Sequence, residues 1–214
     1  MSIQRDRILK CACDLYLSEG IEGFSMRKLA GCVGCTAPAL YRHYENKEEV
    51  MREVVAEAYR QFTQYLYRAL EGPTPLERFL MAGKSYVDFA MEQQSLYEII
   101  YVPDELLARP GGDTPETNPA CALGQFWADR VREMMDAGYL KPGDPHATSM
   151  TLWAHAHGLI TIYHRGLLPA RTRAEFNELI TGSFFRLLEG IGTDAFVEVV
   201  AEMGEGRATE AART

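Results

Sequence analysis

The chain has 214 residues and no uncharged apolar run approaching the roughly 18 residues a membrane helix needs. A secretory leader is not expected either, because Gln4, Arg5, Asp6 and Arg7 interrupt any apolar stretch near the start. No Gly-x-Ser-x-Gly elbow, phosphate loop, dinucleotide fingerprint or metalloprotease-type carboxylate–histidine spacing occurs. Catalytic residues, a cofactor and a metal are therefore not expected. Internal repeats and alternating strand-like stretches are missing as well. Together these absences point to a cytoplasmic, all-helical protein whose thiols stay reduced.

Positive charge is also scarce, since the net charge is −8. That excludes a uniformly basic nucleic-acid binder but not a local basic patch. Between Ser25 and Lys47 the balance reverses: Arg27, Lys28, Arg42 and Lys47 oppose only Glu45, a surplus of three positive charges. An acidic body with a small basic head can dock on DNA through the head, because phosphate contacts are local and screened by salt.

The five cysteines are unevenly placed, at Cys11, Cys13, Cys32, Cys35 and Cys121. Cys11-x-Cys13 with Cys32-x-x-Cys35 invites a zinc site, but residues two apart lie about 200° apart around a helix. Small buried or half-buried fillers are the simpler reading. The rival is a thiol- or metal-responsive regulator using Cys32 and Cys35.

What is present is helical periodicity. Ile8, Leu9, Ala12, Leu15 and Tyr16 recur at three- and four-residue spacing up to a stop at Gly20. Ser25 is placed to cap a second helix carrying Met26, Leu29, Ala30 and Val33. Gly34 breaks that run, and Thr36 can cap a short third helix, about Thr36–Tyr44. A long helix follows from Lys47 to about Leu70, started by Asn46 and ended by Gly72-Pro73. Thr74-Pro75, Asn118-Pro119 and Asp144-Pro145 each put a capping side chain before a first-turn proline. The helices they start are expected to reach about Gln93, Ala137 and Gly166. A short helix near Ser95–Tyr101 and two more, from Arg173 to about Glu189 and from Thr193 to about Met203, complete nine or ten. Residues 102–118 read as a loop and 204–214 as a frayed tail. The expected organisation is a head over 1–46 and a helical body over 47–203.

A second helix, a glycine turn and a short third helix make a helix-turn-helix, whose second member enters the major groove of DNA. Leu40 and Tyr44, four apart, can pack inward. Thr36, Ala37, Ala39, Arg42 and His43 then face the groove, and Arg42 can pair with guanine or hold a phosphate. Tyr41, His43 and Lys47 suit phosphate oxygens, with Ser25 and Arg27 anchoring the flanking strand.

Phe24-Ser25-Met26-Arg27-Lys28-Leu29-Ala30, followed by Gly34-Cys35-Thr36-Ala37-Pro38-Ala39-Leu40-Tyr41-Arg42-His43-Tyr44 and Asn46-Lys47, resembles the N-terminal signature of the tetracycline-repressor (TetR) family. Cys32 and Cys35 depart from the residues usual at that turn. The resemblance implies a homodimer, a palindromic double-stranded operator, a helical core that binds a small-molecule effector, and pairing of the last two core helices across the dimer. Trp153-Ala154-His155-Ala156-His157-Gly158-Leu159 resembles the Trp-His-Gly motif of one C-terminal subfamily of these regulators.

The effector itself is not identified by any motif. Tyr86, Phe89, Tyr97, Tyr101, Trp127, Trp153 and His157 are candidates to line its cavity, although aromatics at helical spacing are more often core. His157 beside Gly158 also suits a packed or dimer-facing position. A helical enzyme or carrier without DNA function is the remaining alternative.

Overall fold

A computed structural model of the chain describes residues 2–101, 114 and 118–201. Its helices are α1 (Ser2–Gly23), α2 (Met26–Val33), α3 (Ala37–Tyr41), α4 (Lys47–Tyr67), α5 (Pro75–Glu92), α6 (Gln94–Ile100), α7 (Pro119–Asp136), α8 (Pro145–His164) and α9 (Arg173–Ile191). A last helical stretch, α10, covers residues 194–201. No strand occurs among the described residues; one isolated bridge joins Leu140 to Gly192. The fold is all-α, as the periodicity implies.

The capping chemistry explains where the helices begin. Ser25 accepts the backbone N–H of Lys28, Asn46 that of Glu49, Asn118 that of Ala120 and Asp144 that of His146. Thr74 and Glu77 exchange bonds at the start of α5, as Thr172 and Glu175 do at the start of α9. Each device satisfies amide groups that a helix start leaves without intrahelical partners.

Helix ends follow the sequence less closely. Gly20 bends α1 with φ 66°, and one further turn follows it, where a stop was expected. α3 ends at Tyr41, short of the expected Tyr44. Residues 42–44 form a turn in which the amides of His43 and Tyr44 both return to the carbonyl of Leu40. α4 gives way after Tyr67 to a tighter 3₁₀ turn, Arg68–Glu71, where an α-helix to about Leu70 was expected. The loop expected over 102–118 lies almost wholly outside the described residues, and the tail over 204–214 entirely so.

Two compact units divide the chain. One comprises residues up to Tyr67 together with Asp88–Leu123, the other Arg68–Val87 together with the remainder. In the first, Ile8, Ala12, Leu29, Val33, Leu40, Val50 and Val54 form the buried centre of the N-terminal helices, and α6 packs against α1 and α4. Phe62 stacks on Phe89 with ring centroids 4.8 Å apart, extending that core along α4.

In the second unit Leu76, Phe79, Val131, Met134, Leu140, Leu152, Leu188 and Phe196 make one cluster. Its loops are tied by backbone bonds: the amide of Lys141 donates to Ile191 and that of Thr193 to Tyr139. Arg78 and Arg130 both donate to the carboxylate of Glu133, at 3.0 and 2.7 Å, and the Arg130 guanidinium lies over the Phe126 ring.

Candidate nucleic-acid interface

The turn between α2 and α3 depends on Gly34, which holds φ 78° and ψ 35°, a left-handed conformation that side-chain-bearing residues rarely adopt. The amides of Gly34 and Cys35 both donate to the carbonyl of Ala30 at 2.9 Å, closing α2 and redirecting the chain into α3.

α3 has one anchored side and one open side. Leu40 is 1% exposed and Tyr44 is buried, whereas Thr36, Arg42 and His43 are exposed, and Ala37 and Ala39 are half-buried. Tyr41 leaves 55% of its surface in solvent. Arg27 on α2 is exposed and Lys47 at the start of α4 is half-buried. Leu40 and Tyr44 therefore act as the inward pair that their spacing implies, and the candidate contact residues of α3 lie on or beside its accessible side.

Three details differ from the sequence reading. Ser25 is half-buried and its hydroxyl caps α2, so a phosphate would compete with the Lys28 amide for its attention. Thr36 occupies the N-cap position of α3 but makes no side-chain cap bond, which leaves its hydroxyl to point elsewhere. Lys28 is ion-paired with Glu19, so part of the local positive surplus is neutralised within the head. Exposed Arg27 and Arg42 carry the remainder.

A carboxylate missed by sequence reading organises the site. Glu53 of α4 accepts the Tyr44 hydroxyl on one oxygen and the Arg5 guanidinium on the other, at 2.6 Å for the Arg5 Nε bond. Burial and the adjacent Glu53 charge raise the Tyr44 pKa well above its ordinary value, so the phenol stays a donor. One carboxylate thus connects α1, the turn after α3 and α4. The signal in the sequence is slight: Glu53 lies within the polar run of a long amphipathic helix.

The seven effector-lining candidates are distributed among separate groups. In the first unit Phe89 meets Tyr97 edge-on at 6.5 Å and Tyr97 meets Tyr101 at 5.1 Å. In the second, Tyr86 meets Trp127 edge-on at 5.9 Å and Trp153 stacks on His157 at 5.1 Å. Tyr86, Phe89 and Tyr97 are buried as core, while Tyr101, Trp127, Trp153 and His157 are half-buried. His155 shares a 3.1 Å hydrogen bond with Ser183 across α8 and α9. No cluster of three or more metal-ligating side chains occurs among the described residues.

The cysteine arrangement departs most from expectation. Cys11 and Cys32 are joined as a disulfide between α1 and α2, with Cα atoms 6.0 Å apart. The sequence alone favours reduced fillers at these positions, with Cys32 and Cys35 as the alternative functional pair. The docking of α1 on α2 brings together residues that local spacing does not relate. Cys13 is a buried thiol donating to the carbonyl of Ser95 at 3.3 Å, and burial, followed by the Asp14 and Glu98 charges, pushes its pKa up to about 12.

A three-helix head with an anchored, solvent-facing third helix, continuous with a helical body, is the architecture of a helix-turn-helix regulator. Residues 8–54 match the family described as bacterial regulatory proteins, tetR family, and residues 79–182 match the tetracyclin repressor-like C-terminal domain. The chain belongs to the TetR family. The second match does not resolve a Trp-His-Gly subfamily.

The repressor KstR2 of Mycolicibacterium smegmatis is 25% identical over 147 residues, covering 65% of this chain and 68% of that protein. The class C tetracycline repressor of Escherichia coli is 38% identical over 56 residues, 26% of this chain and 25% of that one. Among solved structures, KstR2 of Mycobacterium tuberculosis superposes with a TM-score of 0.69 at 18% identity, over 89% of this chain and 95% of that one. AibR in complex with isovaleryl coenzyme A and operator DNA gives 0.66 at 20%, over 85% and 96%. No described helix is long and apolar enough to cross a membrane.

Proposed function

We propose that this protein is a cytoplasmic, homodimeric transcriptional repressor that reads a palindromic operator through α3 and releases it when a small molecule binds the helical body. The observation that carries the reading is the two-sided α3, with Leu40 and Tyr44 anchoring it while Thr36, Tyr41, Arg42 and His43 stay accessible. Residues 1–46 are the DNA-reading head in this proposal. Ser25, Arg27, Tyr41, His43 and Lys47 serve the phosphates, and Thr36, Ala37, Ala39 and Arg42 approach the bases.

A twofold pair can place its third helices about 34–36 Å apart, one turn of DNA, so that both reach successive major grooves. The second copy docks on α8 and α9, the last two long helices, one element earlier than the final pair the resemblance implies. α8 carries no Asp, Glu, Lys or Arg, yet only Ser149, Leu152 and Ile160 of it are buried, and Met150 remains 59% exposed. Such an apolar helix with uncovered surface is suited to a partner face.

Release follows if the effector binds better to a dimer with a different spacing of its heads, since only differential affinity shifts such an equilibrium. Among the aromatic candidates, half-buried Tyr101, Trp127 and Trp153 keep surface that a ligand could cover. AibR, whose structure holds both a ligand and operator DNA, is a member of this fold in which the two are seen together. The test is capture of genomic DNA fragments by the purified protein. An enriched inverted repeat, protected as two half-sites, is expected; enrichment of none at low salt would overturn the reading.

A further inference from the structure

The Cys11–Cys32 bond joins the middle of α1 to the last turn of α2, the turn whose Ala30 carbonyl receives the amides of Gly34 and Cys35. The bond therefore fastens the point from which α3 is launched. Cys11 is buried and Cys32 is exposed, so a reagent reaches the pair from the Cys32 side. Arg7, one turn before Cys11, sets its guanidinium against Gly34, two residues past Cys32. The neighbouring thiols are poorly placed to compete. Cys13 is buried against Ser95 with its pKa raised, and Cys35 lies beyond the glycine turn.

We propose that Cys11 and Cys32 are a reversible redox pair: a low-molecular-weight disulfide oxidises them, stapling α1 to α2, and the stapled head holds operator DNA more tightly than the dithiol form. In the forward step the Cys32 thiolate attacks the small disulfide, forming a mixed disulfide and expelling one small thiolate. The Cys11 thiolate then attacks the Cys32 sulfur, closing the protein bond and expelling the second. The protein loses two electrons and two protons, and the small disulfide is reduced to two thiols. An excess of small thiol reverses both steps, beginning at exposed Cys32.

Tighter binding follows from preorganisation. The helix-turn-helix is intact in the bonded head, so the staple removes freedom that the dithiol head must otherwise lose on the DNA. The affinity half of the proposal rests on the operator reading above; the bond and its effect on stability do not.

The test uses the full-length protein equilibrated with oxidised or with reduced glutathione. Oxidised wild type is expected to lose two hydrogens by intact mass, to block Cys11 and Cys32 but not Cys35 or Cys121 from alkylation, and to melt several degrees higher. It should also bind a captured operator severalfold more tightly. Cys32→Ser, at an exposed position, should abolish all four differences, and Cys11→Ala should do the same if it folds. Oxidation that links another pair, a melting shift that survives in Cys32→Ser, or equal affinity of the two redox forms would each overturn the proposal. Wild type that binds no duplex in either state sinks the operator reading and the affinity half with it, while mass and melting still decide whether the staple forms.

Discussion

Tyr44 donates its hydroxyl to Glu53, nine residues further on, and thereby fixes the chain leaving α3 to the first turns of α4. Arg5 holds the other oxygen of that carboxylate, so the same group also secures α1. The geometry separates two substitutions. Tyr44→Phe keeps the buried ring and removes one hydrogen bond, at an expected cost of about 1 kcal/mol. Glu53→Ala leaves both donors without their shared acceptor and should cost more. Urea denaturation of both variants checks the order; a larger loss from Tyr44→Phe would show that Glu53 is not the organising group.

Arg42 is exposed at the end of α3 and belongs to no ion pair among the described residues. Arg42→Ala is therefore expected to leave melting unchanged while weakening operator binding by about 1–3 kcal/mol if the side chain reads a base. If it contacts only phosphate, the loss is similar for all duplexes, and the slope of log affinity against log salt falls by about one. Fluorescence anisotropy at several salt concentrations separates these cases. Unchanged affinity would remove α3 from the groove.

Met150 and Leu167 expose 59% and 72% of their surface, at the start of α8 and just after its end. Met150→Glu should shift the dimer toward monomers, since a carboxylate would have to be desolvated in an apolar contact. Sedimentation across a range of protein concentrations reads the shift. An unaltered dimer would place the partner surface away from the N-terminal turns of α8.

His157 is half-buried against Trp153, and burial lowers its pKa below the ordinary 6.5. In mildly acidic solution the unfolded chain therefore binds more protons at this position than the folded one. Stability should rise with pH through that interval and be lost progressively as the pH falls below about 6.5. His157→Gln should flatten this part of the melting profile. An identical acid-side slope in the variant would assign the effect to other groups.

Helix starts were the most legible part of this protein. Ser25, Asn46, Thr74, Asn118 and Asp144 cap by short-range chemistry that a few neighbouring residues specify. Gly34 was legible for the same local reason. What sequence reading missed depends on contacts between elements. The Cys11–Cys32 bond needs α1 docked on α2, the Lys28–Glu19 pair needs the same approach, and the role of Glu53 needs α4 laid beside α1 and the turn after α3. Helix periodicity marked which side of each element is apolar but left open which neighbour each side meets. The accessible side of α3 was readable because a short helix with two inward anchors has few ways to orient. The aromatic candidates were not, because a packed ring and a ligand-lining ring share the same spacing.

Ser95 of α6 donates to Asp14 at 2.9 Å and accepts the Cys13 thiol, so α6, more than twenty residues beyond the end of α4, is built into the floor beneath the first helix. Trimming the gene to its opening 46 codons would strip away that floor. Cys13 and Asp14 would lose their acceptor and donor, and the apolar underside of α1 would be left wet. Chimeric regulators assembled by exchanging only the reading head should accordingly express poorly unless the segment around Ser95 travels with it.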